Sequence, residues 1–386
     1  MFTPAPEPPT RLGYYRQLAP RAGIHVSPLC LGGMSIGDKW DKFGMGSMDK
    51  DASFRLLDAY FDAGGNFIDT ANSYQDGTSE EFIGEWAEAR GFRDQLVLAT
   101  KYGNNNCRGN DSIVQKVNFG GDNLKSLMLS VETSLKRLRT TYIDILYVHL
   151  WDSITDVEEI MDGLHNLVVA GKVLYLGVSN WPAWLVVKAN DYARQHGKTP
   201  FVIYQAHWSV LDRRIEHEVL PMCRHEGLAI AAYGVLGAGH IRTDAEEERR
   251  RETGEHGRTS FGLKWERTPE ERAVCRVLER IAGEEEVGVG EGNLGAVAIA
   301  YVMQKAPYVF PLVGGRKVEH LAANIDALNV RLTDEHMKAI EDAKPFEKAW
   351  HAQIIGDYGE VPYLLGSQAK IVPQPLLPPI KPQPLA

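Results

Sequence analysis

Asp69, Tyr74, Lys101 and His149 are the side chains of this sequence best suited to doing chemistry together. Three of them stand in or at the end of apolar runs, NFIDTA (66–71), LVLATK (96–101) and YIDILYVH (142–149), and Tyr74 lies just past the first. A carboxylate, a phenol, an ammonium and an imidazole are the equipment of proton transfer to a carbonyl oxygen. A free tyrosine has a pKa of about 10, too high for a good proton donor at neutral pH. An ammonium about 4 Å away favours the phenolate by about 4 kcal/mol at an effective dielectric of about 20, or about 3 pKa units. Burial alone would push Lys101 towards its neutral form, so a carboxylate such as Asp69 is needed to hold the charge. The imidazole of His149 can orient the carbonyl and stabilise a developing alkoxide. None of the four supplies a hydride.

Singly, each residue has a structural explanation: Asp69 as a turn cap, Lys101 as a strand-end charge, His149 as a satisfied core histidine. Their joint placement argues otherwise. The three runs read as strands and alternate with helical periodicity over 49–64, 79–91 and 123–139, and the runs VLYLGVS, FVIYQA, LAIAAYG and VFPLVG continue the alternation. A βα barrel follows, in which the C-terminal ends of all strands open on one face, so the four groups can meet there. No internal repeat at solenoid spacing appears.

At this point the sequence resembles the aldo-keto reductases, most closely their fungal aryl-alcohol dehydrogenase and norsolorinic acid reductase group. The resemblance is carried by GGNFIDTANSYQDGTSEEFIGEW (64–86), LVLATKYG (96–103), YIDILYVHLWD (142–152), GKVLYLGVSN (171–180), IYQAHWS (203–209), AIAAYGVLGAG (229–239) and FPLVGGRKVEHLAANI (310–325). It implies an eight-stranded (β/α)8 TIM barrel with long loops on the C-terminal face, NADPH/NADP+ bound in extended form, and Tyr74 as proton donor supported by Asp69, Lys101 and His149. It further implies that Ser179, Asn180 and Gln205 hold the nicotinamide carboxamide and that Tyr233 stacks on the ring. Gly234 departs from the serine expected after that tyrosine, so the backbone of the following loop, Val235, Leu236, Gly237 and Gly239, must do more at the cofactor diphosphate. Arg316 and Lys317 resemble the stretch that reads the adenosine 2′-phosphate, with Gly314 and Gly315 allowing backbone approach, His320 nearby and Asn324 reaching adenine. Two adjacent cations at the start of a helix suit a dianionic phosphate, although an ordinary solvated basic pair would look the same in isolation. The implied activity is metal-free reduction of an aldehyde or ketone. The same fold and site serve potassium-channel β subunits, so a cofactor-sensing regulatory subunit with little turnover is the alternative.

Gly290, Gly292 and Gly295 in GEGNLG form a decoy, satisfying the G-x-G-x-x-G dinucleotide pattern without its context. The preceding AGEEEV reads as a helix end, and Gly315 stands where a ribose-binding acid belongs. A turn before a helix capped by Asn293 explains the stretch better.

Composition sets the remaining bounds. The chain has 386 residues, 44% hydrophobic and 24% charged, ordinary for one large globular barrel. Its net charge of −9 argues against nonspecific nucleic-acid binding. Cys30, Cys107, Cys223 and Cys275 lack metal-site spacing and fit reduced thiols. The proline-rich N-terminus lacks the apolar run of a secretory signal and no stretch approaches a membrane span, so the expectation is a cytoplasmic protein whose sequon at Asn110 is unused. Oligomeric state is not legible.

The expected organisation is an N-terminal extension (1–23), a barrel (24–344) and a C-terminal loop with a proline-rich tail (345–386) whose tip is disordered. Three segments, 104–121, 237–268 and this tail, interrupt the barrel; the second carries DAEEERRRETGEH, whose Glu246/Arg250 and Glu247/Arg251 pairs suit an exposed helix or, alternatively, a clasp over the cofactor. Trp40, Trp151, Trp208, Met34 and Phe119 fall in loops that face the barrel mouth, and an aromatic, apolar lining favours flat apolar ligands. Met34, Trp151 and His149 are the substrate contacts expected, Trp151 because it follows His149 by two residues.

Overall fold

The computed structural model of the protein describes residues 3–255, 264–290, 292–348 and 350–382. A hairpin of β1 (Arg16–Ala19) and β2 (Ala22–Val26) precedes eight strands: β3 (Cys30–Gly32), β4 (Phe67–Asp69), β5 (Val97–Tyr102), β6 (Ile143–Val148), β7 (Val173–Ser179), β8 (Phe201–His207), β9 (Ala229–Tyr233) and β10 (Val309–Val313). These eight pair in parallel and close on themselves in the order β10-β3-β4-β5-β6-β7-β8-β9. The result is the (β/α)8 barrel expected.

Helices form where the apolar periodicity placed them, at Lys50–Asp62, Thr78–Arg90 and Leu124–Arg137. Their ends follow from local chemistry: the Asp49 carboxylate accepts the Ala52 amide, the Asn123 side chain accepts the Ser126 amide, and Gly91 stops the second helix in the left-handed region that glycine tolerates. Asn293 likewise caps Leu294–Lys305, accepting the Ala296 amide at 3.2 Å. The element before the GEGNLG stretch is a helix, Pro269–Ala282, so no Rossmann strand precedes it.

The period-two alternation of the strands decides which residues enter the barrel. Phe67 and Asp69 share one face of β4; Val97, Ala99 and Lys101 share a face of β5; Ile145 and Tyr147, continued by His149, share a face of β6. On β8 and β9 the same faces carry Ile203, Gln205 and His207, and Ala229, Ala231 and Tyr233. The earlier members of these series form one apolar cluster with Leu18, Ala19, Ala22 and Val26 of the hairpin, whereas the alternate residues Ile68, Leu98, Leu146 and Tyr204 pack on the surrounding helices. Each of these five strands therefore runs from apolar to polar along its interior face. The hairpin plugs the apolar end.

The charged segment after β9 forms a helix at Asp244–Thr253, and Glu246 bonds Arg250 at 2.7 Å as expected. Glu247 departs from the exposed-helix expectation. Its carboxylate is buried with Arg242 and Arg267, pairs with the Arg267 guanidinium, and accepts from Arg272 at 2.7 Å. Residues 256–263 of this segment lie outside the described residues. In the tail, the Lys381 ammonium donates to the Leu332 carbonyl at 2.9 Å, and the tip at 383–386, expected to be disordered, also lies outside the described residues. Among the described residues no helix is long and apolar enough to cross a membrane.

Candidate active site

At the polar end of the barrel the four residues singled out by type are brought together. Asp69 closes β4, Lys101 sits on β5, His149 follows the last residue of β6, and Tyr74 opens a turn just beyond β4. The Lys101 ammonium, fully buried, donates to Asp69 Oδ1 at 2.5 Å and to the Thr70 carbonyl at 2.7 Å, and lies 4.9 Å from the centre of the Tyr74 ring. Asp69 Oδ2 accepts from Gln205 Nε2 at 2.9 Å. Burial opposes the charge on Lys101, but the Asp69 carboxylate and the Tyr74 phenol outweigh it and raise the ammonium's pKa above the usual lysine range. A cation held permanently beside a phenol is the condition that makes tyrosine a usable acid.

His149 stands opposite, its ring 5.9 Å from that of Tyr74 and nearly perpendicular to it. Burial and, secondarily, the Lys101 charge push its pKa down to about 3, so the imidazole is neutral throughout the physiological range. The Asn104 amide donates to Nδ1 at 3.0 Å, which leaves the single ring proton on Nε2. The site thus offers a neutral N–H donor beside the phenol.

The nearby turn is held by Gln75. Gln75 and Asp76 adopt φ of 51° and 54°, a left-handed conformation costly for side chains larger than glycine. The Gln75 side chain repays this by making four hydrogen bonds: Oε1 accepts the Lys39 and Trp40 amides, and Nε2 donates to the carbonyls of Met34 and Gly46. These bonds dock the loop after β3 beside Tyr74. They bring the Trp40 ring to 6.2 Å from the Tyr74 ring, while Trp40 Nε1 and Arg108 both donate to Asp76. An aromatic wall therefore flanks the phenol.

The residues expected at the cofactor line the same rim. Ser179 ends β7, and the Asn180 amide, itself at φ 58°, donates to Ser179 Oγ at 2.9 Å while its Oδ1 accepts the Tyr233 hydroxyl at 2.9 Å. Beyond β9, Gly234, Gly237, Ala238 and Gly239 all have positive φ, so the chain folds into a concave glycine loop, with Val235 buried and the Leu236 side chain lying against Gly295. Gly314 and Gly315 follow β10. Arg316 and Lys317 are exposed at the start of helix Val318–Ile325, without an ion-pair partner among the described residues, with exposed His320 and buried Asn324 farther along. Cations without an ion-pair partner at a helix N-terminus, a glycine-rich loop and polar side chains at the C-terminal ends of the strands fit a phosphorylated dinucleotide.

A profile of the aldo/keto reductase family matches residues 28–345. The chain belongs to the aldo/keto reductase family. Among its relatives, an aryl-alcohol dehydrogenase [NADP(+)] of Phanerodontia chrysosporium is 59% identical over 360 residues, 92% of each chain. Norsolorinic acid reductase A of Aspergillus parasiticus is 50% identical over 343 residues, 89% of this chain and 84% of the relative.

Of the tryptophans expected at the mouth of this aldo/keto reductase, one is enclosed instead. Trp208 is fully buried and donates from Nε1 to Glu216 at 3.1 Å, a structural role. Trp151 packs edge-on against Trp184 at 5.8 Å, and Met34 meets the site region through its carbonyl. Sequence reasoning missed Asn104 and Gln75. The triplet Asn104-Asn105-Asn106 directly after the Lys101 strand was a signal for the first, and the QDG turn for the second.

Proposed function

We propose that this protein is an NADPH-dependent oxidoreductase that reduces an aromatic or polyketide-like aldehyde or ketone to the alcohol. The observation that carries the reading is the Lys101 ammonium, buried between Asp69 and the Tyr74 ring, facing a neutral His149. The reduced nicotinamide, when bound, supplies the hydride. The chain's own groups do the rest. His149 Nε2–H hydrogen-bonds the carbonyl oxygen and fixes it against the phenol. Tyr74 gives that oxygen its proton, and Lys101 stabilises the phenolate left behind. Asp69 keeps Lys101 charged and Gln205 keeps Asp69 oriented. In the oxidative direction the same residues run in reverse, with the tyrosinate taking the alcohol proton.

Ser179, Asn180, Gln205 and Tyr233 would hold the nicotinamide end, the glycine loop the diphosphate, and Arg316, Lys317, His320 and Asn324 the adenosine 2′-phosphate end. Substrate would lie against His149, with Met34 and Trp151 among its expected contacts and Trp40 added by the ring geometry. The likeness to the Phanerodontia aryl-alcohol dehydrogenase and the aromatic wall beside Tyr74 support the substrate class. A cytosolic setting accords with four free, buried thiols. The test is NADPH oxidation with a panel of aryl aldehydes and polycyclic ketones. Turnover above about 0.1 per second is expected, near the low end of ordinary enzymes. Tight NADPH binding with turnover far below that would overturn the catalytic reading.

A further inference from the structure

Gly234 opens the loop after β9 without a side chain. The space is filled. A Cβ built on Gly234 would lie 2.5 Å from His207 Cδ2 and 2.6 Å from His207 Nε2, so one edge of the imidazole occupies the volume that a side chain at 234 would take. His207 comes from the neighbouring strand, paired in register with Tyr233, and stands two residues beyond Gln205 on the interior face of β8, one layer nearer the mouth. Its ring packs against that of Tyr233 at 5.4 Å.

The two nitrogens of this ring are not equivalent. Nδ1 donates to Asp212 Oδ2 at 3.2 Å, and Asp212 is in turn fixed by Arg214 at 2.5 Å and by the Ser209 hydroxyl, which accepts its amide at 3.1 Å. Burial opposes the Asp212 charge, but the Arg214 and His207 hydrogen bonds overcome it and hold the carboxyl far below the usual carboxylate range. Nε2 meets no partner among the described residues, and the side chain is about two-fifths exposed. In the adjoining loop the Val235 and Leu236 amides likewise donate to nothing among the described residues, because the turn's own donors are the amides of Gly237, Gly239, His240 and Ile241. The loop starts at Tyr233, beside the catalytic end. Through Leu236 it reaches Gly295, where a built Cβ would lie 3.3 Å from the Leu236 side chain and 4.0 Å from Asn324 Oδ1. It therefore spans the distance between the nicotinamide and adenosine ends assigned above.

We propose that His207, through Nε2, replaces the missing side chain at position 234 and binds the diphosphate of the nicotinamide dinucleotide together with the Val235 and Leu236 amides. This inference rests on the cofactor reading of the preceding subsection and adds a residue that reading did not include. In the bound state the anion accepts from Nε2 while the Asp212 carboxylate accepts from Nδ1, so the ring donates at both nitrogens. Asp212 is a positioning residue, since it aims Nε2 at the loop.

The test separates the diphosphate from the rest of the cofactor by using two nucleotides, 2′-phospho-ADP-ribose, which has the diphosphate, and adenosine 2′-monophosphate, which lacks it. Calorimetric titration of His207→Ala should show affinity for 2′-phospho-ADP-ribose reduced at least fivefold, while adenosine 2′-monophosphate stays within twofold of the parent, order-of-magnitude values for one charge-assisted contact. His207→Lys, which places an ammonium donor there, should recover affinity to within threefold. Equal losses for both nucleotides, no loss for either, or a lysine variant as weak as the alanine variant would each overturn the assignment. A parent protein that bound neither nucleotide would overturn this inference and the cofactor reading together, whereas a parent that bound both and was indifferent to His207 would overturn this inference alone.

Discussion

At one end of the barrel the β1–β2 hairpin packs Leu18, Ala19, Ala22 and Val26 onto Phe67, Val97, Ile145 and Phe310. At the other end the same strands present Asp69, Lys101 and His149. Only two to four residues along each strand separate these environments. Moving an ion into such an interior costs several kcal/mol in lost hydration unless partners replace the water. Lys101 receives both a carboxylate and a carbonyl, and Asp69 receives both an ammonium and an amide. The contrast between the ends is thus one of division of labour: apolar burial at the closed end holds the strands in register, and that register allows a buried charge network to be assembled at the open end.

The comparison is broken most severely at the phenol. Tyr74→Phe keeps the ring and its contacts with Trp40 and His149 but removes the proton, so turnover should fall 10²-fold or more, in line with general-acid contributions of about 10²–10⁴. Thermal stability and NADPH affinity should barely change. Steady-state kinetics retaining more than a third of the parent activity would remove Tyr74 from the role assigned to it.

The mirror experiment belongs at the closed end. Leu18 is fully buried in the hairpin plug, and Leu18→Ala should cost about 2–5 kcal/mol of stability in urea unfolding. If the ends are divided as argued, kcat/KM at a temperature where the variant is folded stays within about twofold of the parent. A large kinetic defect with unchanged stability would show that the plug transmits to the site.

The same contrast explains what the sequence made legible. Long apolar runs such as YIDILYVH and capped amphipathic segments such as 123–139 announced themselves, and the four chemical residues followed because each ends or follows a strand. β3 did not announce itself: it has only three residues, Cys30–Gly32, and is recognised by its place between β10 and β4. Gln75 and Asn104 were hidden because their roles depend on loops folding back, over 36 residues to the Lys39 amide and 45 residues to His149. Glu247 illustrates the opposite error. Its helical neighbours are charged and solvated, yet Arg267, 20 residues on, buries it. Local pattern reports a face of a helix, not what later covers it.

A smaller effect is expected at the rim, where charges are exposed and each is worth less. Changing Arg316 and Lys317 together to Ala should weaken NADPH at least tenfold and leave NADH almost unaffected, as befits charge-assisted contacts of about 1.5–3 kcal/mol to a 2′-phosphate. Fluorescence titration with both cofactors reads this directly. Equal losses would place the pair elsewhere.

The smallest effect concerns the wall beside the phenol. Aromatic carbonyls should exceed short aliphatic ones in kcat/KM by at least tenfold, a margin of about 1.4 kcal/mol in transition-state binding. Sequence position nominates Trp151, two residues beyond His149, whereas ring geometry favours Trp40, which stands edge-on to Tyr74 and is steadied by Asp76 under the Arg108 guanidinium. Trp151 instead meets Trp184. Because a flat substrate held by His149 and Tyr74 must pass the face nearest the phenol, Trp40→Ala should erase most of the aromatic preference, and Trp151→Ala should erase less than half of it. Kinetic panels on the two variants decide between them: a reversed order would return the substrate contact to Trp151, and a parent enzyme without any aromatic preference would leave the wall a structural feature of the loop that Gln75 holds down.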